Sequence, residues 1–164
     1  MKSPKSKPPS RHQMLRYSSH ADLVKRAGPI ITNAASKGRP VVVVVPDNEG
    51  KFWIEKLNDM DILSSGRSVR ILVYPVNLQG WAWGLRTAYV AGQRALEERL
   101  EVGGQDVLVI IRLPDVLLLI GERQGMEEVE KVLAGIATIG TVVCAYHKTL
   151  TLPGTVESQH GVAG

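Results

Sequence analysis

The chain has 164 residues, of which 44% are hydrophobic and 22% charged, a balance typical of one globular domain with its own core. Its single cysteine excludes a disulfide framework and a zinc site built from several cysteines. No apolar run reaches the roughly 20 residues that span a bilayer, and no secretory signal follows the basic start. We therefore expect a cytoplasmic protein with no membrane contact.

The net charge of +4 is concentrated at one end of the chain. Residues 1–16 carry five basic side chains and no acidic one, whereas the remainder has fifteen basic and sixteen acidic residues. Residues 1–13, rich in proline and serine, are predicted to be a disordered basic tail. A basic nucleic-acid-binding domain is thereby disfavoured, and weak, salt-sensitive binding of nucleic acid by the tail is an alternative.

From residue 14 to residue 154 the chain alternates predicted strands and helices. Val41–Val45 is a run of five valines between two prolines, and a β-branched run without alternation predicts a strand buried on both faces. Val116–Ile120 is expected to extend the fourth strand or to form a further one, and residues 155–164 are expected to be a flexible end. Strands are predicted over 14–17, 41–45, 69–74, 107–111 and 141–145, and helices over 20–36, 47–57, 81–101 and 127–137.

Two of these helices carry further signals. Ser18 and Ser19 precede the first helix and are expected to cap it, and its N-terminus offers backbone N–H groups to an anion. The helix over 81–101 is amphipathic, because its larger apolar residues fall on one face. Those residues are Leu85, Tyr89, Leu96 and Leu100.

The alternation predicts an α/β fold of three layers, α/β/α, with a mostly parallel central sheet of the RecA or Rossmann kind. Such sheets bind ligands outside the carboxyl ends of their strands. Two of only three tryptophans stand together after the third strand, where aromatic walls suit a ligand pocket. Ordinary polar turns, and a tryptophan that fixes a helix to the sheet, are the alternatives. The candidate ligand-binding residues are Tyr17, Ser18, His20, Asn77, Trp81, Trp83, Arg112 and Tyr146. Arg112 is expected to accommodate a carboxylate or phosphate of the ligand.

Familiar catalytic motifs are missing from the sequence. It has no G-x-x-x-x-G-K-S/T loop for phosphates, no G-x-G-x-x-G after a strand and no G-x-S-x-G nucleophile elbow. The four histidines lack the spacing of metal ligands, and Cys144 lies in an apolar strand, as a buried inert thiol does. We expect no enzyme activity, no catalytic residue, no metal and no cofactor.

Three segments of the chain share a pattern with a known family: MLRYSSHADLVKRAGPIITNAASKGRPVVVVVPD, VLVIIRLPD and TVVCAYHKTLTLPG. They give a strand that ends in tyrosine, a helix, a glycine turn and a valine-rich strand, then a fourth strand and a closing Cys-x-Tyr strand. In this order they resemble the MEDS domain, the methanogen/methylotroph sensory domain, over most of residues 14–154. The resemblance implies a RecA/KaiC-like core that lacks a P-loop, with Tyr17–His20 in its place.

The resemblance also implies that the domain senses a small organic, hydrocarbon-derived ligand, with Tyr146 in the pocket. Because the chain leaves no room for an attached output domain, the signal is expected to leave through a regulatory protein partner or a homo-oligomer. The sequence thus predicts a stand-alone sensory or regulatory domain. The alternatives are a nucleic-acid-associated protein that uses the basic tail and a degenerate, non-catalytic RecA-like ATPase subunit. The latter would present Arg67, Arg70 or Arg112 to a neighbour's nucleotide.

Overall fold

The computed structural model describes residues 11–60, 69–75, 81–104 and 106–163. Its strands are β1 (His12–Tyr17), β2 (Val41–Pro46), β3 (Val69–Tyr74), β4 (Val107–Ile111), β5 (Gly140–His147) and β6 (Gly161–Val162). Its helices are α1 (His20–Ser36), α2 (Asp47–Asp59), α3 (Trp81–Glu101), α4 (Pro114–Leu119), α5 (Arg123–Ile136) and α6 (Gly154–Gln159). Within these ranges no helix combines the length and the hydropathy that crossing a membrane requires.

The six strands join one sheet in the order β3-β2-β4-β5-β1-β6, and every pairing is parallel. The valine run forms β2, which lies between β3 and β4 and is buried at all six positions. Alternate valines face opposite cores: Val42 and Val44 pack under α3 and α5, whereas Val43 and Val45 pack under α1 and α2. The predicted α/β/α fold with its parallel sheet is confirmed.

Parallel pairing brings the carboxyl ends of the strands to one edge of the sheet. β1 ends at Tyr17, β2 at Pro46, β3 at Tyr74 and β4 at Ile111. The helices α1, α2 and α4 begin within three residues of the strands that precede them, so their first turns lie at the same edge. This edge is where the fold places side chains from four separate strands within reach of one another.

Both ends of the folded region extend further than predicted. β1 begins at His12, within the predicted tail of residues 1–13, of which residues 1–10 lie outside the described ranges. The segment 155–164, expected to be flexible, instead contributes to α6 and to β6, which pairs with β1. A six-residue helix and a two-residue strand are too short to give a periodic signal, and this is why the sequence did not reveal them.

The segment Val116–Ile120 is helical over most of its length, so its prediction as a strand is wrong. α4 begins at Pro114, which suits a first helical turn because its missing N–H needs no partner there. Leu117 is buried in the core, whereas Leu119 and Ile120 are more than half exposed. An apolar run of this length does not by itself distinguish a strand from a short helix.

The apolar face of α3 that the sequence singled out lies largely on the surface. Tyr89 and Leu100 are 65% and 69% exposed, and Leu96 is also exposed. The helix packs on the sheet through its small residues instead, which let its backbone approach closely. Those residues are Ala88, Ala91 and Ala95, all fully buried.

Candidate functional site

The carboxyl edge of the sheet holds a buried network of polar side chains, here called the rim network, formed by Tyr17, His20, Glu49, Arg112 and Asp115. Tyr17 ends β1 and Arg112 directly follows β4, while Glu49 and Asp115 lie in the first turns of α2 and α4. The Tyr17 hydroxyl donates to Asp115 Oδ2 at 2.5 Å. Arg112 Nε donates to the Tyr17 oxygen at 2.8 Å and to Asp115 Oδ2 at 3.3 Å.

The other side of the Arg112 guanidinium faces Glu49 and His20. Arg112 Nη1 donates to Glu49 Oε1. His20 Nε2 lies 2.7 Å from the same carboxylate oxygen and 3.0 Å from Arg112 Nη1. The Glu49 and Asp115 side chains are 3% and 0% exposed, whereas the His20 ring is half exposed. His20 is therefore the member of the network that solvent reaches most readily.

Two buried carboxylates share one guanidinium in the rim network. Burial acts to lower the pKa of Arg112, but Asp115 and Glu49 outweigh it and raise that pKa. Burial raises the pKa of Asp115, against the opposing charge of Arg112. Burial and the Asp115 carboxylate also raise the pKa of Tyr17, which keeps its hydroxyl a donor. Since Arg112 already binds two carboxylates of the chain, its geometry does not support the expectation that it takes a carboxylate or phosphate of a ligand.

Ser18 and Ser19 begin α1 in a closed capping arrangement. Ser19 Oγ accepts a hydrogen bond from the Asp22 N–H at 3.1 Å, and the Asp22 carboxylate accepts one from the Ser18 N–H at 2.8 Å. The hydrogen bond from the Ser18 N–H lowers the pKa of Asp22, and the hydrogen bond from Arg26 lowers it further. The N–H groups of Ser18 and Asp22 therefore already have partners within the chain and are not available to a bound anion.

A cavity of about 300 Å³, here called the Trp83 cavity, lies between β3 and α3 next to the rim network. Tyr74 and Trp83 stack in its wall with ring centroids 5.4 Å apart. Trp83 is 7% exposed, and its indole Nε1 has no hydrogen-bond partner among the described residues. The Tyr74 hydroxyl donates to the backbone carbonyl of Arg112, which joins this wall to the rim network. The other lining residues include Val44, Leu72, Val73, Val90, Arg86 and Thr87.

The structure brings part of the predicted ligand-binding set together. Tyr17, His20 and Arg112 meet in the rim network, with Ser18 at the adjoining helix start. Trp83 lines the cavity beside them. Outside the described part of the structure lie Asn77 and the side chain of Trp81.

Tyr146 belongs to a different group of side chains, on the face of the sheet that α5 covers. It is fully buried, and its hydroxyl donates to Glu130 Oε1 at 2.7 Å. Glu130 in turn lies among His12, Cys144 and His160, and these four residues are here called the His–Glu–Cys cluster. Burial acts to raise the pKa of Glu130, but His12 and His160 outweigh it and lower it to about 2. Burial raises the pKa of the Cys144 thiol well above its ordinary value.

Sequence reasoning did not find Glu49, Tyr74 or the His–Glu–Cys cluster. A polar residue in the first turn of a helix that follows a buried strand lies at the carboxyl edge, and this signal was available for Glu49. Tyr74 is the last residue of a predicted strand and offered a comparable signal. The cluster had none, because its members come from separate elements, with His12 and Cys144 132 positions apart.

Comparison with known proteins identifies the fold. No protein-family model and no curated protein matches the chain. A KaiC-like protein from the hyperthermophilic archaeon Pyrococcus horikoshii OT3 superposes with a TM-score of 0.57 and 16% identity, over 93% of this chain and 70% of that one. The ATP synthase subunit NeqB from Nanoarchaeum equitans superposes with a TM-score of 0.55 and 18% identity, over 92% of this chain and 42% of that one. The chain thus spans about two fifths of NeqB. It has a KaiC-like, RecA-type α/β fold.

Proposed function

We propose that this chain is a non-catalytic sensory or regulatory module of the KaiC-like fold that binds a small organic ligand in the Trp83 cavity. The observation that carries the proposal is an apolar, aromatic-walled cavity of about 300 Å³ whose lining residue Trp83 has a buried indole N–H without a partner among the described residues. Ligand pockets combine apolar walls with a few placed polar groups, and this volume is at the small end of their range of roughly 300–1,000 Å³. The role agrees with the resemblance to the MEDS domain.

The chemistry of the cavity defines the class of ligand. A buried N–H donor without a partner costs free energy, which an acceptor oxygen of a bound molecule would recover. The walls from Val44, Leu72 and Val90 favour a compact hydrocarbon body. We therefore expect a small ketone, alcohol or carboxylic acid with a branched or aromatic skeleton.

The rim network argues against a nucleotide as the ligand. A RecA-type site holds phosphates with cations and free N–H groups, but Arg112 is neutralised by Glu49 and Asp115. The Arg112 guanidinium is therefore not free to bind a phosphate group. At the start of α1 the Ser18 N–H already donates to the Asp22 carboxylate. These contacts support the proposal of a non-catalytic role.

The contact between Tyr74 and Arg112 gives a bound ligand a way to act on the rest of the domain. Tyr74 forms part of the cavity wall and donates to the Arg112 carbonyl. Arg112 contacts Glu49 at the start of α2 and Asp115 in α4. A ligand that shifts the Tyr74 ring would therefore change the positions of two surface helices.

Replacement of Trp83 by phenylalanine tests the ligand site. We expect phenol, cyclohexanone, benzoate or isovalerate to raise the thermal midpoint by roughly 5–10 °C at 100 times its Kd, since binding then adds about 2.7 kcal/mol. Trp83→Phe should weaken that binding about tenfold, because it removes the donor and keeps most of the wall. The measurement is a thermal-shift series confirmed by calorimetry.

Trp53→Phe is the matched control, because Trp53 is also buried but lies in the core on the opposite face of the sheet. It should leave the affinity unchanged. A screen without any binder, or equal affinity in both variants, would remove the Trp83 cavity as the site.

The exposed face of α3 offers a route for self-association. Tyr89, Leu96 and Leu100 project from the domain, and a patch of large apolar residues of this kind often marks a protein contact. We propose that a second copy covers it across a twofold axis.

Light scattering on the full chain should show a dimer that Tyr89→Glu converts to a monomer, while Arg123→Glu on α5 leaves it intact. A monomer at all concentrations would contradict this contact.

The second candidate is a degenerate subunit beside an active RecA-like ATPase, which the likeness to the NeqB subunit favours. Such a subunit needs an arginine that reaches a neighbour's nucleotide, and two of the three candidate arginines are already paired with carboxylates. Arg70 pairs with Glu98 at 3.1 Å, and Arg112 is neutralised in the rim network. Arg67 lies outside the described residues. Co-purification with a P-loop ATPase would favour this candidate over ligand sensing.

A further inference from the structure

We propose that His12, Glu130, Cys144 and His160 form a buried binding site for a divalent transition-metal ion, with zinc as the ion their chemistry favours. The four come from β1, α5, β5 and the residue that follows α6. Each offers one ligand atom, and the four atoms all lie within 4.8 Å of one another. The site is separate from the Trp83 cavity and does not rest on the proposed ligand.

The distances between the donor atoms suit a tetrahedral ion after a small expansion. His12 Nε2 and His160 Nε2 lie 2.9 and 3.0 Å from Glu130 Oε2, and Cys144 Sγ lies 3.5 Å from His12 Nε2. Cys144 Sγ lies 3.8 Å from Glu130 Oε2. Zinc bonds of about 2.0–2.3 Å place tetrahedral ligand atoms roughly 3.3–3.8 Å apart. For these four of the six pairs, side-chain movements of a few tenths of an ångström reach the tetrahedral spacing, and the other two pairs also lie within 4.8 Å.

The ligand set is electrically matched to a divalent ion. A thiolate and a carboxylate supply two negative charges, and two neutral imidazoles supply none, so the loaded site is neutral. Neutrality matters because every member is buried: the side chains of His12, Glu130 and His160 are 8%, 2% and 1% exposed, and Cys144 is 0% exposed. Nitrogen, sulfur and one carboxylate oxygen in a four-coordinate set are typical of zinc, whereas calcium and magnesium prefer oxygen alone.

The surrounding contacts orient the ligand atoms as metal sites require. His160 Nδ1 lies 2.6 Å from the Val156 carbonyl and donates to it, which leaves Nε2 with a lone pair in the neutral ring. That Nε2 makes no hydrogen bond of suitable geometry within the described chain, although it lies 3.0 Å from Glu130 Oε2. Tyr146 donates to Glu130 Oε1 and so turns Oε2 toward the histidines. Such outer contacts fix tautomer and orientation around bound metals.

An ion at this site would attach the C-terminal segment to the sheet. α6 has six residues and β6 has two, so hydrogen bonding alone holds this segment weakly. His160 stands between them and reaches Glu130 on α5 and, through ring contact at 4.0 Å, His12 on β1. The expected role is structural, because four protein ligands leave no open position for a substrate.

The test uses the untagged full-length chain, so that no affinity tag supplies metal ligands. After expression with zinc and exhaustive dialysis, inductively coupled plasma mass spectrometry should find about one zinc per chain. After chelation, cobalt(II) added alone should give the tetrahedral absorption bands and a thiolate-to-cobalt charge-transfer band. Zinc should also slow proteolytic cleavage within residues 154–163, since it holds that segment in place.

Matched variants distinguish ligands from neighbours. Glu130→Gln and His160→Gln should lower zinc affinity by at least about 100-fold, and Cys144→Ser should abolish the charge-transfer band. Glu128→Gln, on the exposed side of the same helix, and His147→Gln, on β5, should bind like the unaltered chain. The unaltered chain decides the question even where a variant does not fold. Less than about 0.1 zinc per folded chain together with no cobalt charge-transfer band would overturn the site and leave a hydrogen-bonded His–Glu pair.

Discussion

Replacement of Arg112 by methionine is expected to lower the free energy of unfolding by about 3–5 kcal/mol, among the largest effects available in this chain. The substitution keeps most of the side-chain volume but leaves Glu49 and Asp115 buried without their shared cation. The Tyr17 hydroxyl and the His20 ring stay beside these carboxylates, but the solvation energy lost on burial is no longer offset by the guanidinium charge. Urea denaturation followed by circular dichroism measures the loss.

The control for this substitution is Arg123→Met. Arg123 also pairs with a carboxylate, Glu127, but both side chains are largely exposed, so the change should be below about 1 kcal/mol. Adding Glu49→Gln and Asp115→Asn to Arg112→Met should restore at least half of the lost stability, because no unpaired charge remains. If Arg112→Met costs no more than Arg123→Met, the rim network does not stabilise the fold as described.

Replacement of Gly140 by alanine is expected to cost about 3 kcal/mol or more, or to prevent folding. A Cβ at this position would lie 2.4 Å from the carbonyl oxygen of Val107, its partner on β4. The obstacle is backbone inside the sheet rather than the end of a flexible side chain, so relief requires separating β4 from β5. Thermal and urea unfolding of the purified variant provide the measurement.

Gly135→Ala serves as the matched control on α5, five positions away in sequence. A Cβ there meets nothing within 4 Å, and the helix gains up to about 1 kcal/mol from the exchange. The two variants should therefore move stability in opposite directions. Equal effects would mean that β4 and β5 are free to separate and that the close approach at Gly140 is not a constraint.

The architecture was predictable because its strongest signals are local. Five consecutive valines require burial on both faces, and only a parallel sheet covered by helices on both sides provides it. α4 and the segment from α6 to β6 were not predictable, since short elements depend on tertiary contacts rather than periodicity. The buried face of α3 was mispredicted for another reason. The helix carries two apolar stripes, and only packing decides that the alanines rather than Tyr89 and Leu100 face the sheet.

The site was predictable only where strand ends mark it. The rule for carboxyl edges led to Tyr17, His20 and Arg112, because each follows or ends a predicted strand. The rule does not tell which charged side chains will neutralise one another. Arg112 was therefore predicted to contact an anionic ligand, whereas in the structure it pairs with Glu49 and Asp115. Such compensation depends on distances that no spacing along the chain encodes.

The pairing of β6 with β1 has a consequence for anything joined to this domain. The two strands are parallel, so a segment attached before β1 leaves at the amino end of its strand and a segment attached after β6 leaves at the carboxyl end of its strand. Segments joined to the two ends of the domain therefore leave it in opposite directions along the sheet.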